Sequence, residues 1–141
     1  MAFSRFKDTI ANRVLDLLLG SSHDTTAMPA TVYVALITTA PTNANGASIV
    51  EVSGGSYARV AVTNNDTNWP AATGRAKSNG TTITFPTSTA SWGTVVGFAL
   101  YDASTAGNFL SYGALSSSQA VGSGVTPQFA AAALSVTSPG T

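Results

Sequence analysis

Residues 31–38 read TVYVALIT. In an extended chain, successive side chains point to opposite faces. Val32, Val34 and Leu36 then line one face, and Tyr33, Ala35 and Ile37 line the other. A strand that is apolar on both faces belongs in the middle of a sheet, covered on both sides. Residues 94–101, TVVGFALY, form a second near-continuous apolar run of the same kind. These two segments set the expectation of a β protein with two central strands.

Outward from them the period stays at two. Tyr57 to Thr63 alternates Ala58, Val60 and Val62 against Tyr57, Arg59 and Ala61. Thr81 to Phe85 puts Ile83 and Phe85 on one face. Asp102 to Asn108 (DASTAGN) reads as a hairpin loop, with Asp102 suited to accept backbone N–H bonds, and Phe109 to Leu115 returns from it. Val125 to Phe129 and Ala132 to Thr137 follow. Pro41 to Ser48 is a loop, and Asn64 to Gly80 is a long polar excursion containing Trp69. Strands at this spacing, with no helix between them, predict a mainly β fold. The expected form is an antiparallel β-sandwich, jelly-roll-like, of about seven to eight strands.

The start of the chain differs. Phe3, Phe6, Ile10, Val14, Leu17 and Leu18 step by three and four residues, the period of an amphipathic helix. Gly20 is placed to stop it. The expected organisation is therefore an N-terminal amphipathic helix over 1–20 and a β-sandwich over 21–141, together one compact domain. The helix stripe is the candidate assembly interface. A lone amphipathic helix ahead of an all-β body must bury its apolar face on its own domain, on a second copy or on another protein.

Composition narrows the function. Charged residues make up 9% against 44% hydrophobic, and 20 Thr and 17 Ser supply the polar surface instead. Six basic and six acidic residues leave a net charge of zero. Nucleic-acid binders carry a basic stripe, and here the cations are spread along the chain, so no nucleic-acid partner is expected. No apolar run reaches the length of a membrane span, so no membrane insertion is expected. There is no cysteine and one histidine, His23, too few ligands for a usual zinc site. Neither a metal nor a cofactor is expected.

Candidate chemistry is sparse. His23 beside Asp24 lacks a nucleophile elbow to serve. Glu51 and Asp102 are the two carboxylates that could converge as a glycosidase pair, but nothing in their setting requires it, and no enzyme activity is expected. Trp69, set among Asn and Thr, is the candidate exposed contact. It would be an interface anchor or a sugar-stacking platform, against a reading in which it folds back over one end of the sandwich. A competing class of function, a host-surface carbohydrate-binding module, would use Trp69, Tyr57 and the loop Asn43 to Gly46.

Four stretches taken together carry a resemblance: FSRFKDTIANRVLDLLLG at 3–20, PATVYVALITTAP at 29–41, EVSGGSYARVAVTNNDTNWP at 51–70, and TITFPTSTASWGTVVGFALYDASTAGNFLSYGAL at 82–115. With the closing FAAAALSV they resemble small proteins of tailed bacteriophages, usually described as tail-fibre or minor tail proteins. The resemblance implies a structural role in the virion, no catalytic residues, and synthesis in the bacterial host cytoplasm. It implies a tail-fibre-like or adaptor subunit, with a capsid decoration or cement protein of the same particle as the alternative. The implied partners are other virion proteins and further copies of the chain, with a trimer expected first.

Overall fold

The computed structural model describes residues 28–138 throughout, together with the backbone of Arg5 and Phe6 and with Asn12, Val14, Leu15, Leu18 and Leu19. Its strands are β1 (Arg5–Phe6), β2 (Thr31–Thr39), β3 (Val50–Glu51), β4 (Val60–Thr63), β5 (Ala76–Ser78), β6 (Ile83–Thr84), β7 (Gly93–Tyr101), β8 (Phe109–Val121), β9 (Gln128–Phe129) and β10 (Ser135–Thr137). Every pairing is antiparallel.

The mainly β, antiparallel expectation is met. The layering is specific: one six-stranded sheet runs β1-β8-β7-β2-β3, with β4 also on β2. In place of a second large sheet there are two separate two-stranded sheets, β5–β10 and β6–β9. β2 and β7 lie at the centre of the large sheet, in register from Tyr33↔Tyr101 to Ile37↔Gly97. Both are buried on two faces, as their continuous apolar runs require.

One face of the sheet presents Val32, Val34, Leu36, Val62, Phe98 and Leu100 to Trp69, Ile83, Phe85, Trp92, Leu134 and Val136. The opposite face holds a smaller cluster of Ala35, Ile37, Ala99, Tyr101 and Phe109, with Ile49 packed against it. Two glycines let β7 and β8 approach, Gly113 on the first face and Gly97, in register with Ile37, on the opposite one. A Cβ on Gly97 would lie 2.5 Å from the Gly113 carbonyl, and a Cβ on Gly113 would fall 2.4 Å from the Phe98 ring. The phenyl ring thus occupies the space that Gly113 leaves open.

The two small sheets are joined by one buried side chain. The Asn79 Nδ2 donates to the carbonyls of Thr81 and Ala130, and its Oδ1 accepts from the Leu134 amide, each at 2.8 Å. A buried amide with its groups satisfied replaces the ladder that these short strands lack.

At the N-terminus the expected helix needs a correction. Arg5 and Phe6 pair with Tyr112 and Ser111 as strand β1, so the helix expected over 1–20 does not include these two residues. Asn12, Val14, Leu15, Leu18 and Leu19 have helical backbone. Phe3, Ile10 and Leu17 lie outside the described residues, as does His23.

Candidate functional site

β3 and β4 are two parts of one edge. Both pair with the same side of β2, β3 at Ile37 to Thr39 and β4 at Thr31 to Val34. Val52 continues β3, its amide donating to the Leu36 carbonyl at 3.0 Å. The chain then leaves the sheet through Gly54, Gly55 and Ser56, three consecutive residues with positive φ (74°, 53° and 63°). Left-handed backbone of this kind is cheap for glycine and costly for most other residues. The detour is pinned by Trp92, whose Nε1 donates to the Gly55 carbonyl at 2.9 Å.

The detour delivers Tyr57 back to the gap in the edge. Its ring packs edge-on to Trp92, with centroids 5.3 Å apart, and parallel to Phe85. Its hydroxyl accepts from the Leu36 amide at 3.0 Å and donates to Glu51 Oε1 at 2.8 Å. Arg59 then holds both carboxylate oxygens, Nε to Oε1 at 2.9 Å and Nη2 to Oε2 at 2.7 Å. The Arg59 Nη1 donates to the carbonyls of Ala103 and Ala106 at 2.8 Å each. Its guanidinium carbon lies 3.6 Å above the centre of the Tyr101 ring. A planar, five-donor cation suits this double task of fork pairing and stacking.

The electrostatics follow from burial. Burial first, with the facing Glu51 carboxylate adding to it, pushes the Tyr57 hydroxyl far above the ordinary tyrosine range, while the Leu36 amide pulls the other way. Burial and Glu51 also raise Tyr101, against the opposing pull of Arg59. The hydrogen bond to Glu51 raises Arg59 further. Neither Glu51 oxygen is left open as a base or nucleophile. Asp102 is likewise occupied, accepting from the Asn108 amide and from Asn108 Nδ2, at 2.6 and 2.8 Å. The two carboxylates singled out in the sequence therefore organise one edge and one hairpin loop. Among the described residues no group of three His, Asp or Glu side chains is placed to hold a metal.

Trp69 is not an exposed contact. It is 6% exposed and belongs to the main core cluster, beside a cavity of about 330 Å³ lined also by Val32, Leu100 and Val136. Its polar neighbours are engaged with one another: Asn68 receives a bond from Thr81 and donates to the Thr63 carbonyl, and Asn65 caps the turn. The stretch is polar because it braces its own loop, and the indole turns inward.

Exposed apolar side chains lie at the N-terminal segment instead. Val14, Leu15, Leu18 and Leu19 are 51%, 54%, 74% and 80% exposed. Val14 and Leu18 belong to the expected stripe; Leu15 and Leu19 adjoin it and were not part of it.

The sequence named Glu51 and Tyr57 separately and in other roles; Arg59, and the clamp that joins the three, were outside the set of sequence candidates. Its signal was present, since Glu51 and Arg59 are two of only twelve charged residues and flank the glycine pair.

A protein-family model described as Podophage GP4 fiber I protein gp80 matches residues 5–137. No curated protein matches the chain.

Proposed function

The chain belongs to the podophage fibre protein family and is a tail-fibre-like structural component of the virion, and from this premise we propose that it is a subunit that assembles through its N-terminal segment while its β body acts as the rigid part. The observation that carries this reading is the exposure of Val14, Leu15, Leu18 and Leu19 on helical backbone. Exposed leucines spaced one and four residues apart form a continuous stripe on a helix. Such a stripe gains on the order of 25 cal/mol for each square ångström it buries on a partner. The partners on this reading are other virion proteins and further copies of the chain, in a cyclic arrangement with three copies expected first.

The β body suits the rigid role. Its polar network from Leu36 through Tyr57 and Glu51 to Arg59 ends on the chain's own loop carbonyls. The experiment is removal of residues 1–20, with oligomeric state measured in solution and incorporation measured in the particle. Loss of incorporation with a folded body supports assembly through this segment, and normal incorporation defeats it. Localising the labelled chain on intact particles separates a fibre or adaptor position from a capsid decoration.

A further inference from the structure

The hairpin that leads into β5 carries strain at one residue. Thr73 and Ala76 exchange both backbone hydrogen bonds, at 3.0 and 2.9 Å, across a two-residue loop of Gly74 and Arg75. Both loop residues have positive φ, 56° and 66°. Such a turn favours Gly, Asn or Asp at its centre. Its second position here holds arginine, whose side chain makes left-handed backbone costly. The turn is held from outside, since the Ser138 amide donates to the Arg75 carbonyl at 2.9 Å. An arginine kept in such a conformation points to a use for its side chain.

Arg75 lines the cavity beside Trp69. Lys77 stands two residues on and is paired with Val136, so its side chain lies on the same face as that buried valine. Among the described residues lining the cavity, Arg75 and Lys77 carry the only charges, and both are positive. Neither forms an ion pair or a side-chain hydrogen bond among the described residues. Behind them the walls are apolar: Val32, Trp69, Leu100 and Val136 are each between 6% and 9% exposed. Around the opening, Asn64, Ala72, Arg75 and Lys77 are exposed. The volume of about 330 Å³ falls at the lower end of the range for small-molecule pockets.

We propose that this cavity binds an amphipathic carboxylate, a short aliphatic chain or single ring ending in one anionic group. Charge complementarity sets the anionic end, because two unpaired cations stand at the opening with no acid among the lining residues. A guanidinium fork matches a carboxylate with two parallel hydrogen bonds, and the lysine adds a further donor. The walls set the other end, where burial of hydrocarbon against Trp69 and the aliphatic side chains supplies the affinity. The volume admits one such group and no double-chained lipid. The site is separate from the N-terminal segment and does not rest on the assembly reading.

The test uses octanoate, octanol and octylamine, which share a chain and differ in charge, with the full isotope-labelled chain. Trp69 has an indole N–H with no partner among the described residues, and its NMR signal reports occupancy. The signal of Trp92, which does not line the cavity, is the control. Octanoate is expected to bind one-to-one and to move the Trp69 signal alone. Octanol should bind roughly tenfold more weakly, the worth of one charge-assisted hydrogen bond, and octylamine not at all. Arg75→Gly is expected to raise the melting temperature, because glycine adopts left-handed backbone freely, while octanoate affinity falls about tenfold. Opposite movements of stability and affinity mark a residue retained for binding. Lys77→Gln should weaken octanoate at an unchanged melting temperature, and Ala72→Phe, at the exposed rim, should block it with both cations in place. The proposal is overturned if millimolar octanoate leaves the Trp69 signal unmoved, if octanol binds as tightly, or if Arg75→Gly/Lys77→Gln binds octanoate like the parent. Sedimentation with anionic phospholipid vesicles separates the two sources of such a ligand. Retention that requires Arg75 and Lys77 would assign the site to a membrane surface and overturn the free-ligand reading.

Discussion

The Leu36 amide donates to the Tyr57 hydroxyl at 3.0 Å, in the gap between two strands where a backbone carbonyl would otherwise stand. A side chain thus completes the ladder of a central strand. Tyr57→Phe keeps the ring between Phe85 and Trp92 but removes the acceptor for Leu36 and a donor for Glu51. Leaving buried groups without a partner costs about 1–3 kcal/mol. Urea unfolding should show a loss in that range with an unchanged slope.

The same hydroxyl sets a pH dependence. Tyrosine in an unfolded chain ionises near 10, and burial holds Tyr57 well above that in the folded protein. The folded state then retains a proton that the unfolded state gives up. The resulting stability is complete below pH 10 and is lost progressively above it. Unfolding midpoints taken at pH 8 and pH 10.5 should fall, and the fall should be smaller in Tyr57→Phe. Tyr101, raised in the same direction, accounts for part of what remains.

Arg59 joins an edge strand to a hairpin loop. Its side chain is 8% exposed and that of Glu51 is 23% exposed. Arg59→Ala strands the carboxylate and two loop carbonyls, with an expected cost of roughly 3 kcal/mol, at the lower end for buried pairs because Glu51 keeps some water. Replacing both partners, as Arg59→Met with Glu51→Leu, should recover much of the loss. A double-mutant cycle by denaturant unfolding checks this, and simple additivity would contradict the clamp.

Trp69 separates core from contact. Trp69→Ala should cost about 3–5 kcal/mol, as for other large aromatics removed from a core. Trp69→Phe should cost much less, since the indole N–H has no partner to lose. A surface contact would behave in the opposite way, with stability preserved on both substitutions.

Gly113 tests the packing of β7 on β8. Gly113→Ala places a methyl group against the Phe98 ring, and overpacking of this kind costs about 1–3 kcal/mol. Phe98→Leu is destabilising alone, but in combination the two should cost less than their sum. Thermal unfolding of the four chains measures the coupling.

The central strands were legible because both-face burial leaves a continuous apolar run that nothing else in the chain imitates. The hairpin loop at Asp102 was legible through turn chemistry, and Asp102 does bond the Asn108 amide. β3 and β5 were not legible. Val50–Glu51 and Ala76–Ser78 are too short to show a period, and distant partners define them, β2 for one and β10 for the other. Tyr57 was read as the first residue of a strand, on one face with Arg59 and Ala61, yet the left-handed run Gly54 to Ser56 turns it into the sheet edge. Trp69 was misplaced because polar neighbours suggested solvent, when those neighbours bond one another.

The position of β2 has a consequence for synthesis. Its partner β7 is translated only after β3, β4, β5 and β6. Leu134 and Val136, which cover the same face, come later still, near the end of the described chain. While the ribosome is at work, both apolar faces of TVYVALIT have no lasting cover. Pairing of such distant segments is slow, and the exposed strand is prone to aggregate in the interval. A nascent chain stalled before Leu134 should therefore remain sensitive to protease where the full chain is resistant.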